Sequence, residues 1–214
     1  MLYKLAHAFY KRDTYFGYSE KNDISDYFWL VECKKQDYSK PVLYEVDKFD
    51  SDLLKRDILP TMGAKLVSKR FRDAYQHLED KEIQFIPAII KDEKSGIENY
   101  DFFVLNPLKL LSLLDFERSL YLPYGIDDED EEDEIDEDYL EIMQAFYCEE
   151  NMNPFSIARM KENILYIIVS ENFVEVAKKA GLQGIDFNPE GYTGAYTELG
   201  LEETRKRMKD YYGK

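Results

Sequence analysis

Two stretches of the chain carry the same order of apolar and polar positions. Leu66 to Pro87 reads LVSKRFRDAYQHLEDKEIQFIP, and Ile168 to Pro189 reads IVSENFVEVAKKAGLQGIDFNP. At a constant offset of 102 and without a gap, Leu66 matches Ile168, Val67 Val169, Ser68 Ser170, Phe71 Phe173, Ala74 Val176, Ile83 Ile185, Phe85 Phe187 and Pro87 Pro189. Each copy opens on a short apolar run and reaches a serine where a helix can start. It continues with apolar residues at helical spacing and closes on Ile-x-Phe-x-Pro, which alternates as a strand does. The predicted unit is strand, helix, strand, present twice. A serine at this point can accept a hydrogen bond from a free N–H of the first helical turn. Phe71, Ala74, Tyr75 and Leu78 share one face of the first helix; Phe173, Val176, Ala177 and Ala180 share one face of the second. Gly181 sits where a left-handed helix terminus needs glycine. Phe71 and Phe173 are therefore expected at equivalent core positions, and an internal duplication is the expected origin.

The same patterning predicts the remaining elements. Leu2 to Phe9 reads as a first strand and Asp13 to Asp26 as a polar connection. Tyr27 to Cys33 and Val42 to Val46 have the aromatic and β-branched content of strands and are expected to form a hairpin. Asp50 to Leu59 reads as a short helix ended by Pro60. Ile83 to Ile90 and Tyr100 to Leu105 are expected to be antiparallel neighbours. Asn106-Pro107 has the form of a helix start, with Leu108, Leu110, Leu111, Leu113 and Leu114 as its apolar side. Tyr139, Ile142, Met143 and Phe146 fit a helix over Tyr139 to Tyr147, and Ile164 to Val169 is the most apolar strand. Glu190 to Gly200 reads as loop and Leu201 to Tyr212 as a terminal helix, with Glu202/Lys206 and Glu203/Arg207 in favourable order. The fold class is thus α+β, with mixed and antiparallel sheets, packed helices and two related strand-helix-strand halves. The division is 1–126, an acidic loop 127–138, and 139–214, forming one compact domain overall.

Composition adds the means and the charge. The 214 residues are 44% apolar and include 13 Phe, 18 Tyr and 1 Trp, enough for a large core. No run approaches the ~18 apolar residues of a membrane helix, and the N-terminus lacks the apolar block of a signal peptide, so a cytoplasmic protein is expected. Cys33 and Cys148 are too few and too far apart for a disulfide framework or a thiol zinc cluster. The net charge of −16 is mostly local. From Asp127 to Asp138, 11 of 12 residues are acidic, and without them 33 acidic face 28 basic residues. An acidic chain approaches phosphates against its own field, so no nucleic-acid partner is expected.

Four phrases carry a resemblance: LVSKRF, IQFIPAII, YDFFVLNPLKLLSLLD and IARMKENILYIIVSENFVEVAKKAGLQGIDFNP. Together they resemble a bacterial family of immunity proteins, the eleventh numbered class of immunity domains in polymorphic toxin systems, formerly a domain of unknown function. The resemblance spans roughly Lys65 to Pro189. Its most recognisable elements are the Val-Ser-x-x-Phe helix start, the Phe-Val-Leu-Asn strand end with the following Leu-Leu-Asp, and Ala-Gly-Leu-x-Gly-Ile-x-Phe at Ala180 to Phe187. It implies a protein that binds and neutralises a cognate toxin, with no catalytic residues to carry over.

Candidate catalytic and metal-binding patterns are sparse. The two histidines, His7 and His77, sit in no catalytic or metal-ligand spacing. Gly181 and Gly184 follow a helix, where a phosphate loop precedes one. No enzyme activity and no cofactor or metal are expected. The expected partner is a cognate toxin domain, with no membrane partner; oligomeric state is open. The expected contact residues are Asp127, Asp128, Glu129, Asp130, Glu131, Glu132, Asp133 and Glu134, whose carboxylates could occupy a basic, phosphate-binding cleft, together with Tyr192 and Tyr196. Tyr15 and Tyr18 offer a second tyrosine-rich surface. The alternatives are an enzyme with a carboxylate or tyrosine site, and an acidic calcium-binding or scaffolding module. An EF-hand would need a glycine that the run lacks.

Overall fold

The structure, a computed structural model, describes residues 1–8, 15–61, 63–124, 136–148, 154–194 and 196–213. Its strands are β1 (Leu2–His7), β2 (Gly17–Tyr18), β3 (Val42–Val46), β4 (Ile58–Leu59), β5 (Lys65–Ser68), β6 (Ile83–Asp92), β7 (Glu98–Pro107), β8 (Leu110–Leu111), β9 (Leu120–Tyr124), β10 (Asp136–Gln144), β11 (Ile157–Met160), β12 (Asn163–Ser170) and β13 (Ile185–Pro189). The α-helices are α1 (Asp26–Val31), α2 (Lys69–Tyr75), α3 (Glu171–Lys179) and α4 (Glu198–Tyr212). They build a six-stranded sheet in the order β2-β3-β6-β7-β5-β4, a five-stranded sheet in the order β13-β1-β12-β11-β8, and the pair β10-β9. The fold is α+β with mixed and antiparallel sheets, as the patterning predicts.

Both strand-helix-strand units form, and they agree to the residue. In the first, β5 and β6 flank β7 and both run antiparallel to it, so Val104 has Leu66 on one side and Ile86 on the other. In the second, β12 and β13 flank β1 in the same sense, and Lys4 lies between Ile168 and Asn188. These are the same positions at offset 102. The middle strand follows the unit in the first copy and comes from the N-terminus in the second. The caps also match: Ser68 accepts from the Phe71 N–H at 3.1 Å and Ser170 from the Phe173 N–H at 3.4 Å. Gly181 has φ +63° just past α3.

One face of each sheet and the paired helices α2 and α3 enclose a common core. Phe71, Tyr75, Phe85, Leu105, Leu5, Ile167, Val169 and Phe173 meet there. Phe71 and Phe173 are 0% and 1% exposed, with ring centroids 6.1 Å apart. Tyr75 stacks on Phe173 at 3.9 Å, and its hydroxyl donates to the Phe173 carbonyl at 2.7 Å. A buried carboxylate ties the units together at one edge. Asp57 accepts from the Gln183 N–H at 2.7 Å and from the Ser68 hydroxyl, while its own N–H donates to the Gln183 carbonyl at 2.8 Å. Gly184, at φ +71°, lies so close to Arg56 that a Cβ would come within 2.6 Å of the Arg56 Cβ.

Several elements differ from the patterning, each for a tertiary reason. Tyr27 to Val31 is helical, not a strand, and Cys33 follows at φ +46°: Ser25 caps α1, and Trp29 is the helix's single buried residue while Tyr27 and Phe28 point outward. The expected hairpin is replaced by β3 pairing antiparallel with β2 and parallel with β6. Asp50 to Leu59 holds only a 3-10 turn at Leu53–Lys55 before β4. Asn106-Pro107 ends β7 rather than starting a helix, because the fully buried Asn106 amide donates to the Lys34 carbonyl and to Gln84 instead of capping. Of the leucines that follow, Leu110 and Leu111 form β8, parallel to β11. Tyr139 to Gln144 belongs to β10, which pairs with β9. The Leu140 carbonyl accepts from the Asn163 amide and the Ile142 carbonyl from the Tyr166 hydroxyl, so long-range bonds overrule helical spacing. The terminal helix starts three residues early, on the cap Thr197.

Candidate functional site

Of the residues expected to meet a partner, Asp127 to Glu134 lie outside the described residues. Their attachment points are described. Tyr124 and Asp136 are register partners in the β9–β10 pair, so the acidic run joins the ends of one hairpin. The strand that follows it, β10, leads through Ile142, Met143 and Ala145 into a cavity of about 120 Å³. Tyr192 and Tyr196 line that same cavity and are 52% and 44% exposed. The expected tyrosine pair is thus brought together, while Tyr15 and Tyr18 belong elsewhere. Tyr18 sits on β2 of the six-stranded sheet, with its hydroxyl donating to the Ile24 carbonyl.

Residues that the sequence did not single out complete the cavity: Lys4 on β1, Tyr147 after β10, Tyr166 on β12 and Asn188 on β13. Strand alternation explains their convergence, since Leu2, Lys4, Ile168 and Asn188 fall on the face of the second sheet turned away from the common core. The Lys4 Nζ lies 3.1 Å from the centre of the Tyr166 ring, a cation–π geometry. Burial, aided by the nearby positive charge of Lys65, lowers the Lys4 pKa to about 7. Lys4 forms no salt bridge with a carboxylate among the described residues. Burial pushes the Tyr166 hydroxyl up to about 12 and raises Tyr147 as well. The Tyr196 hydroxyl donates to Glu141 at 3.2 Å. These walls are apolar bodies with polar tips, a composition suited to recognition.

Other surfaces are less specialised. A groove of about 550 Å³ between the hairpin and α4 is lined by Phe116, Tyr121, Leu140, Tyr211 and Tyr212, with Phe116 48% exposed. Among the described residues, no three His, Cys, Asp or Glu side chains stand where they could hold a metal ion. No helix of the described residues is long and apolar enough to cross a membrane.

Comparison with known families decides the affiliation. A profile described as the immunity protein family Imm11 matches residues 8–191. The chain belongs to the Imm11 immunity protein family. The matched span reaches further toward the N-terminus than the quoted phrases and includes the acidic run. It contains Tyr147, Tyr166 and Asn188 and excludes Lys4, Tyr192 and Tyr196. No curated protein matches the chain. The repeated motifs are capping and core positions, so they specify the scaffold.

Proposed function

We propose that this Imm11 protein neutralises a cognate bacterial toxin in the cytoplasm by stoichiometric protein binding, without catalysis of its own. Family membership over residues 8–191 is the observation that carries the reading. Two features support it. Tyr192 and Tyr196 are exposed aromatics lining one concavity, the kind of anchor that dominates interface energetics. The acidic residues Asp127 to Glu134 are attached to the hairpin whose second strand contributes Ile142 and Met143 to the cavity wall. Residues 1–126 and 139–214 act as one immunity domain, and 127–138 as its charged loop. A basic toxin, such as a nuclease with a phosphate-binding cleft, is the partner class that these carboxylates fit. Their field extends about 8 Å at physiological ionic strength and acts chiefly on the association rate, whereas tyrosine anchors set dissociation.

The test is co-expression with the toxin domain encoded beside the gene. Restored growth and co-purification are expected. Continued killing at comparable expression, with no complex, would refute the proposal.

A further inference from the structure

The two strand-helix-strand units use their outward faces differently. In the first, Leu66, Val104 and Ile86 lie side by side across three strands, each 0% exposed and packed with Trp29. At the same register in the second, the row is Ile168, Lys4 and Asn188. Two of three core positions have become polar, and both of these residues line the cavity beside Tyr192 and Tyr196. Half-burying a lysine without a counter-charge costs stability. A donor-lined concavity is what the exchange produces.

The groups left over define the ligand. The Tyr166 and Tyr196 hydroxyls are committed to the Ile142 carbonyl and to Glu141. Lys4 presents only donors, and the side chain of Asn188 and the hydroxyls of Tyr147 and Tyr192 make no hydrogen bond among the described residues. One cation amid unpaired groups that can each donate accommodates an anion with acceptor oxygens. The volume of about 120 Å³ is well below the roughly 300–1,000 Å³ of ordinary small-molecule sites and suits a carboxylate on one or two methylenes. We propose that this cavity receives the carboxylate of a glutamate or aspartate side chain from the protein that docks on this face, with Lys4 as counter-ion and Tyr166 and Tyr192 against its methylenes. The identity of that protein rests on the immunity reading; the chemistry of the cavity does not. A basic partner attracted by the acidic run would thereby be held in register by one contact of the opposite sign, a device that favours specificity.

The charged and titratable groups around the Lys4 amine are Lys65 on β5, Tyr147, Tyr166, Tyr192 and Tyr196, with Glu141 bonded to Tyr196 at the rim. Because burial holds the amine near pKa 7, occupation by a carboxylate must take up a proton at higher pH. The experiment is NMR of the full chain with lysines labelled at Cε, assigning Lys4 by its absence in Lys4→Met. The probe is N-acetyl-glutamate amide, and the uncharged control is N-acetyl-glutamine amide. The glutamate probe should move the Lys4 signal saturably, raise its titration midpoint by about one unit, and bind about sixfold more weakly at pH ~8.5 than at pH ~6.5. Asn188→Leu should weaken it in a protein with an unchanged circular dichroism spectrum. An unmoved Lys4 signal, or equal effects of both probes, would overturn the proposal. Acetate binding as tightly as the glutamate probe would overturn the side-chain assignment in favour of a free small anion. No toxin enters the titration, so its outcome is separable from the growth test.

Discussion

Replacing Phe173 with alanine probes the joint between the two units. The side chain is 1% exposed, stacks on Tyr75 at 3.9 Å and faces Phe71 at 6.1 Å. Truncating a buried Phe costs about 3–5 kcal/mol through lost transfer free energy and the cavity left behind. Against a total stability of about 5–15 kcal/mol, such a loss is large. For a chain of this size, ~4 kcal/mol corresponds to a fall in Tm of about 8–16 °C. Phe71→Ala should cost a similar amount, because it holds the equivalent position. As the rings share one cluster, the double variant should be less destabilised than the two single losses added, with a coupling of about 0.5–1.5 kcal/mol. Urea unfolding of the four proteins, with unchanged m-values, gives the cycle. A Phe173→Ala protein within ~1 kcal/mol of the parent, or strictly additive losses, would refute packing of the units through these rings.

Three further outcomes follow from buried polar groups. Asp57→Ala removes the carboxylate that accepts from Gln183 and Ser68 and should cost about 3 kcal/mol in urea unfolding, with earlier loss of amide protection at Gln183; a change below ~1 kcal/mol would contradict its role as a tie. Arg159 is 1% exposed, and its Nε and Nη2 have no hydrogen-bond partner among the described residues, so Arg159→Met should be neutral or stabilising by about 1–3 kcal/mol, and a marked loss would contradict that reading. Lys4 has a folded pKa of about 7 against an ordinary 10.5, so between those values the unfolded chain binds more protons and this group's contribution to stability rises with pH. Lys4→Met should therefore gain most stability near pH ~6 and progressively less toward pH ~9 in thermal melts; a gain independent of pH would contradict burial as the cause.

The sequence was most legible where the physics is local. Ser68 and Ser170 cap helices because the cap and the N–H it accepts from are three residues apart, and the offset of 102 foretold which residues would meet equivalent neighbours. It misled where distant bonds overrule local form. Asn106 has the sequence of a helix cap, yet its amide is claimed by Lys34, 72 residues away. Tyr139 to Tyr147 satisfies helical spacing, yet its backbone is drawn to β9 and to the Asn163 and Tyr166 side chains. In the cavity, the Tyr192 and Tyr196 pair was readable from loop composition. Lys4 was not, because a single lysine in an apolar strand reads as an outward-facing position. The signal that would have found it lies in the repeat: β1 stands in for β7, and Lys4 for the buried Val104.

The central claim, neutralisation by stoichiometric binding, is tested most directly by titrating the toxin domain at a concentration far above the Kd with the purified protein while following residual toxicity or activity. The account predicts a linear fall to zero with a sharp end point at a small whole-number molar ratio, independent of incubation time. Full inactivation at a few hundredths of that ratio, growing with time, would mean that the protein acts on the toxin catalytically and would contradict the account.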